Sequence, residues 1–163
     1  MATVTIFLPV GSPASMTAQL DISGAGHQRL LFDADTAEYG IWQFRVPSNY
    51  PASGAALTAK IQYTMASATS GNVDFEVSLM AVTDGDSADV DTASFDTANA
   101  GNATVPGTAG YLDEISILCT TVDSVAAGDF VLVKLQRDAT DATNDTATGD
   151  AEVIALVLQY TYV

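Results

Sequence analysis

Between Leu57 and Met65 every second residue is apolar or aromatic. Leu57, Ala59, Ile61, Tyr63 and Met65 alternate with Thr58, Lys60, Gln62 and Thr64. A period of two follows the pleat of a β-strand and cannot wrap a helix, so this stretch predicts a strand with one buried and one wet face. The same period returns in Val73, Phe75, Val77 and Leu79 against Asp74, Glu76 and Ser78, in Trp42, Phe44 and Val46 against Gln43 and Arg45, and in Ile115, Ile117 and Cys119. Two further stretches, Phe130 to Leu135 and Val153 to Leu158, are nearly continuous apolar runs. Runs this short and rich in Val predict strands buried on both faces. Thr3 to Leu8 is a β-forming start ended by Pro9, and Ala18 to Ile22 and Arg29 to Phe32 are weaker strand candidates.

Turn chemistry separates these segments. Gly24-Ala25-Gly26, Pro47-Ser48-Asn49, Ser70-Gly71-Asn72, Asp84-Gly85-Asp86 and Ala127-Gly128-Asp129 mark reversals. The Ala-rich stretch from Ala88 to Ala100 is broken by Asp, Thr, Ser and Asn, which oppose a helix interior. The pattern predicts an all-β chain: a single antiparallel β-sandwich, jelly-roll-like, of about eight or nine strands. It also predicts two long acidic loops, Thr83 to Gly110 and Asp138 to Gly149. With 163 residues the chain fits one domain. We divide it into an N-terminal β arm and linker, residues 1–15, and a β-sandwich domain, residues 16–163.

Charge excludes several partners. Five basic residues face twenty acidic ones, for a formal net charge of −15. Phosphate binding draws on Lys and Arg to release counterions, so no nucleic acid is expected as a partner. An anionic membrane is excluded for the same reason, and no apolar run reaches the roughly 20 residues of a spanning helix. The N-terminus lacks the basic start of a secretory signal, which leads to the expectation of a product made in a cytoplasm.

The residue types that carry catalysis do not assemble in sequence. The single histidine, His27, sits between Gly26 and Gln28, with no second imidazole for a metal and no nucleophile motif beside it. The single cysteine, Cys119, lies in an apolar run and reads as a buried thiol. Gly24-Ala25-Gly26 lacks the remainder of a phosphate-binding loop. The first acidic loop carries Asp84, Asp86, Asp89 and Asp91, and the second carries Asp138, Asp141, Asn144, Asp145 and Asp150. Counted from Asp84, a calcium-binding EF-hand loop needs Gly sixth and Glu twelfth, where this chain has Asp89 and Phe95. The EF-hand reading fails for the first loop, and both loops read first as solvated turns; the alternative is a calcium site, for which the second loop is the better candidate because strands lead in and out of it. Nearly every Asp reads as lying in a polar loop or on a wet strand face, and nothing singles out a buried acid for glycoside hydrolysis. The expectation is a protein without catalytic residues, metal site or cofactor.

Aromatic residues offer a different chemistry. Tyr39, Trp42, Tyr50, Tyr63 and Tyr111 are of the kind that stacks on sugar rings. Trp42 is in phase with Phe44 and Val46 and belongs to the core, whereas Tyr50 and Tyr111 lie beside turns and are expected at the surface. The uncharged N-terminal strand suits another role. Val4, Ile6, Phe7 and Leu8 are candidate assembly residues, because a terminal strand followed by Gly11-Ser12-Pro13-Ala14-Ser15 can pair with a neighbour's sheet edge or with its own.

Two segments carry a resemblance. One is Trp42-Gln43-Phe44-Arg45-Val46-Pro47-Ser48-Asn49-Tyr50, running on to Leu57 through Tyr63. The other is Gly128 through Asp138, an acidic loop, then Gly149 through Ile154 and a final Tyr160. Together they resemble jelly-roll domains of phage virion proteins, such as tail-fibre modules and capsid decoration proteins. The resemblance covers about half the chain and implies a non-enzymatic homotrimeric β-sandwich. A short chain without a fibre shaft directs that expectation toward a capsid decoration (cement) protein. Such a protein sits on the outer capsid surface of the virion, with the major capsid protein as its partner. The alternative is a carbohydrate- or host-receptor-binding jelly-roll module of a phage tail, with its site on the Asp138 to Asp150 loop and exposed tyrosines.

Overall fold

In a computed structural model, residues 1–8, 11–13, 19–22 and 24–162 are described. They contain eleven strands and no helix. The strands are β1 (Ala2–Leu8), β2 (Ser12–Pro13), β3 (Gln19–Ile22), β4 (Gln28–Phe32), β5 (Glu38–Arg45) and β6 (Leu57–Met65), followed by β7 (Asn72–Val82), β8 (Asn99–Thr104), β9 (Asp113–Cys119), β10 (Phe130–Arg137) and β11 (Ala151–Tyr162). They form two antiparallel sheets. One has the order β3-β4-β11-β6-β9, with β1 also on β11, and the other β2-β5-β10-β7-β8. Most connections cross from one sheet to the other, so β5 lies in one and β6 in the opposite one, and likewise for β6 and β7, β8 and β9, and β10 and β11. This is a jelly-roll-like sandwich, and the expected fold class holds.

The period-two reading places the inner faces. Ala59, Ile61 and Tyr63 of β6, Val73, Phe75, Val77 and Leu79 of β7, and Val131, Val133 and Leu135 of β10 are all fully buried. Phe75 is the hub of the aromatic packing, meeting Phe32 and Tyr63 edge to face at 6.1 and 5.6 Å between ring centres. Small residues admit large ones. A side chain at Gly101 would stand 2.9 Å from Ile117 Cγ1, and one at Gly40 would stand 2.7 Å from Leu30 Cδ1 and 3.1 Å from the Trp42 ring.

Three expectations change. The two strands beyond the expected nine are β2, a short pairing on β5, and β8, which lies inside the stretch expected as one long loop. Its sequence, Asn99-Ala100-Gly101-Asn102-Ala103-Thr104, has no apolar alternation, because its inward positions need small residues under Ile117. Asn99 then fastens β8 to the end of β9. Its Oδ1 accepts hydrogen bonds from the amides of Thr120 and Thr121, and its Nδ2 donates to the Val77 and Thr121 carbonyls. Second, Tyr50 is buried, not at the surface. Its hydroxyl exchanges hydrogen bonds with the Ala55 backbone, and its ring packs edge-on against Tyr160 at 4.9 Å. Third, acids are buried: Asp74, Asp129, Asp145 and Glu152. Of the two pairings open to the N-terminal strand, it takes the one within its own sheet. It pairs with β11 along its whole length, from Ala2 opposite Tyr162 to Leu8 opposite Leu156. Val4 and Ile6 pack against the core, Leu8 is buried within it, and Phe7 points outward. The division drawn between residues 15 and 16 lies outside the described residues, as do Pro9 and Ala18.

Arg137 closes one end of the sandwich. Its position on β10 faces inward, and its side chain is 0% exposed. The guanidinium grips Asp145 through two bonds, Nε to Oδ2 and Nη2 to Oδ1, both 2.8 Å. It also donates to the carbonyls of Ala147 and Gly149, each at 2.8 Å. A buried, forked and fully bonded pair of this kind is costly to break on one side only, because the surviving charge is stranded. Arg137→Ala is therefore expected to cost about 3–5 kcal/mol, read from urea denaturation. Arg137→Ala combined with Asp145→Ala should lose less than the sum of the two single changes.

Candidate functional site

The outer face of the five-stranded sheet brings together chemistry that the sequence scatters. Inward positions on β10 alternate with Phe130, Leu132, Lys134 and Gln136, which point outward. Register sets their neighbours: Gln136 lies between Tyr39 and Glu76, and Lys134 between Ile41 and Ser78. The Lys134 ammonium stands 5.7 Å from the centre of the Tyr39 ring and 5.6 Å from that of Phe95. The two rings and the cation attract one another through the ring quadrupoles. Gln136 Nε2 donates to Glu76 Oε2 at 3.4 Å. A half-buried row of aromatic, cationic, amide and carboxylate groups thus crosses three strands.

Phe95 reaches this row because the segment before β8 is held down at several points. The Asp96 amide donates to the Leu79 carbonyl, and Asp96 Oδ2 accepts the Asp123 amide. Asp123 Oδ2 accepts the Ala81 amide in turn. Asp123 and Ser124 adopt left-handed backbone, with φ of 50° and 55°, which aims Asp123 back at β7. At the far end of the face Arg45, Val82, Thr83, Asp84, Val90 and Phe130 line an open pocket of about 430 Å³.

The second acidic loop covers the near end. Its carboxylates serve its own turns. Asp138 Oδ1 accepts from the Thr140 hydroxyl, Asp141 accepts from the amides of Thr143 and Asn144, and Asp145 holds Arg137. The first loop does the same, with Asp86 capping the Thr83 amide and Asp89 the Asp91 amide. Asp and Asn are rich here because short side chains bond local backbone. Among the described residues, no three His, Cys, Asp or Glu side chains converge into a metal site.

Under this loop Asp74 is only 4% exposed. Its backbone is satisfied, the amide by Asp145 Oδ2 and the carbonyl by the Asp138 amide. Its carboxyl faces other acids. Burial first, then Glu76, Asp141, Asp138 and Asp145, pushes it up to about 6. Glu76 is raised as well, by burial and by Asp138, against the pull of Lys134. Cys119 is inert at neutral pH, because burial lifts its thiol to about 11.

Of the aromatic residues considered from sequence, Tyr39 reaches this face. Trp42 and Tyr63 are core, Tyr50 is buried, and Tyr111 is 64% exposed on the loop before β9, away from the row. Phe95, Lys134 and Gln136 were not singled out from sequence. The outward phase of β10 could have identified the last two, but Phe95 arrives by a loop path that has no periodic signal.

No protein-family model matches the chain, and no curated protein matches it by sequence. Solved structures do. A family 35 carbohydrate-binding module from Cellvibrio japonicus Abf62 aligns over 95% of this chain and 92% of its own, with a TM-score of 0.50 at 12% identity. A family 35 module from Clostridium thermocellum gives 0.47 at 10% identity, over 96% and 90%. The C-terminal family 6 module of the laminarinase LamC from Zobellia galactanivorans gives 0.45 at 16%, over 95% and 98%. The first establishes the jelly-roll fold and nothing finer. These structures are carbohydrate-binding modules. The first supports the resemblance drawn from sequence as far as the β-sandwich, and lends nothing to a place in a virion.

Asp74 makes the stability of this end depend on pH. Its folded pKa lies above the 3.8 of an ordinary carboxyl, so ionisation at neutral pH opposes folding. That penalty fades as pH falls through about 6 and is gone below the unfolded value. Asp74→Asn should stabilise the protein by about 1–2 kcal/mol at pH 7.5 and by nothing at pH 3.5. Denaturant midpoints across that range provide the measurement.

Proposed function

We propose that the chain is a non-catalytic module that binds neutral glycans on the outer face of the five-stranded sheet. The observation that carries this reading is the row formed by Tyr39, Lys134 and Phe95 beside Gln136 and Glu76. Sugars present an apolar C–H face and a rim of hydroxyls. Aromatic rings meet the former, while amides and carboxylates that accept or donate in pairs meet the latter. The likeness in fold to a module named for carbohydrate binding supports the same reading, which takes the place of capsid decoration as the preferred role.

Charge selects the class of sugar. Glu76, Asp74, Asp138 and Asp141 crowd the near end of the row, against one Lys134. An acidic polysaccharide would meet that field and the net charge of −15. Neutral glucans, galactans, mannans and xylans carry no such penalty.

Calorimetry or affinity electrophoresis against a panel of neutral and uronic polysaccharides tests the proposal. At least one neutral polymer should bind, and uronic polymers should bind more weakly at low salt. Tyr39→Ala should cut the affinity at least tenfold and Gln136→Ala several-fold, with unchanged thermal melting. A panel that stays blank, or binding that ignores both substitutions, overturns the reading.

A further inference from the structure

We propose that a second copy of this chain docks on the outer face of the six-stranded sheet, making a two-fold dimer in which Phe7 of each copy enters the pocket beside Leu118 of the other. The inference is independent of the glycan reading, which concerns the opposite sheet. It begins with where the charges are not. Residues 1–8, 47–59, 115–122 and 153–162 contain no charged side chain, in a chain with twenty acidic residues. The fold gathers these segments into one corner, because β1 and β6 flank β11 and β9 flanks β6. Two bodies of charge −15 repel on most approaches, and on this corner the repulsion is weakest.

The same face is shaped for its own copy. Its outward residues run in rows across the sheet: Thr5, Gln159, Thr58 and Leu118 in one, then Phe7, Val157, Lys60 and Ser116. Lys60 is already neutralised by Glu114 at 2.7 Å. Phe7 is 62% exposed and Leu118 60%, both large apolar side chains standing in water. Beside Leu118 lies an open pocket of about 320 Å³ lined by Thr3, Thr58, Gln159 and Thr161. A projecting ring on β1 therefore shares one face with a recess that runs from Thr3 on β1 across β11 and β6 to Leu118 on β9. A two-fold axis lying in the face midway between them exchanges the two sites, so a second copy offers its ring to the recess and its recess to the ring.

Sedimentation equilibrium of the full chain at 0.15 M salt, from micromolar to millimolar protein, is the test. The wild type should fit a monomer–dimer equilibrium. Phe7→Lys and Leu118→Asp should each weaken it at least tenfold, while Tyr111→Asp, which removes an equally exposed ring elsewhere, should leave it unchanged. Both changed positions are exposed, and unaltered melting checks that the variants fold. Mixing Phe7→Lys with Leu118→Asp should restore dimers, because the mixed pair sets the new lysine against the new aspartate and keeps one native contact. A wild type that stays monomeric throughout, one that forms a trimer, or a mixture that fails to associate would overturn the proposal.

Discussion

Everything at the acidic end of this molecule depends on Arg137. The side chain belongs by strand phase to the core, and the core is dry, so its charge must be met on the spot. Asp145 meets it with two oxygens, and carbonyls at Ala147 and Gly149 take remaining donors. Those partners all come from the connection between β10 and β11. A loop that would otherwise be a solvated tether is thereby folded back onto the sheet edge. Once there, its Asp145 also accepts the Asp74 amide, and its Thr146 and Ala147 amides bond to the Asn72 carbonyl. The loop lies over β7 like a further strand segment, and Asp74 is sealed beneath it. The raised carboxyl of Asp74 is a cost incurred by that closure, and the ion pair is what sustains it.

The sandwich also separates its charges. Acidic residues gather on the loops and on the near end of the five-stranded sheet, where Asp and Asn hold turns together. The opposite corner, where β1, the end of β11 and the β5–β6 loop meet, carries no acidic side chain in residues 1–8, 47–59 and 153–162. Under the proposed dimer, solubility and self-recognition would fall to different regions. The acidic loops would keep copies apart in most orientations, and the neutral face would permit contact in one. The face proposed for glycans lies on the other sheet, where Lys134 between two rings is the local exception to negative surroundings. A dimer through the six-stranded sheet would leave two such faces pointing away from each other, free for a long polymer to engage both.

Strands that carry side chains of contrasting polarity were legible from sequence. Leu57 to Met65, Asn72 to Val82, Phe130 to Arg137 and the closing run all fell where alternation or apolar continuity placed them. What escaped was structure whose signal lies in small size or in partnership. β8 pairs on β7 with Gly101 and Ala103 facing inward, and residues chosen for fitting beneath Ile117 look like loop composition. Tyr50 follows a proline turn and reads as exposed, yet the turn itself folds back so that Ala55 can satisfy its hydroxyl. Arg137 is in phase with Val131, Val133 and Leu135, a cue to burial that the reading of the run as ending at Leu135 did not take up. Only the location of Asp145 eight residues on makes that burial tolerable, and a single sequence does not reveal which of several nearby acids will be the partner.

The candidate site shows the same limit from the other side. Tyr39 could be named from sequence because aromatic residues are few, and the outward phase of β10 points to Lys134 and Gln136, but which of them stands beside Tyr39 depends on register. Gln136 stands between Tyr39 and Glu76 because β10 pairs antiparallel with β5 and β7 in one particular alignment. A slip of one residue would turn Lys134 and Gln136 inward and bring Val133 and Leu135 to the surface. The buried inner face therefore fixes the outer one: the free energy that sends Val131, Val133 and Leu135 into the core also sets which polar groups share the exposed row. Binding chemistry on a sheet is in this sense a by-product of core packing, and its specificity rests on residues that no ligand touches.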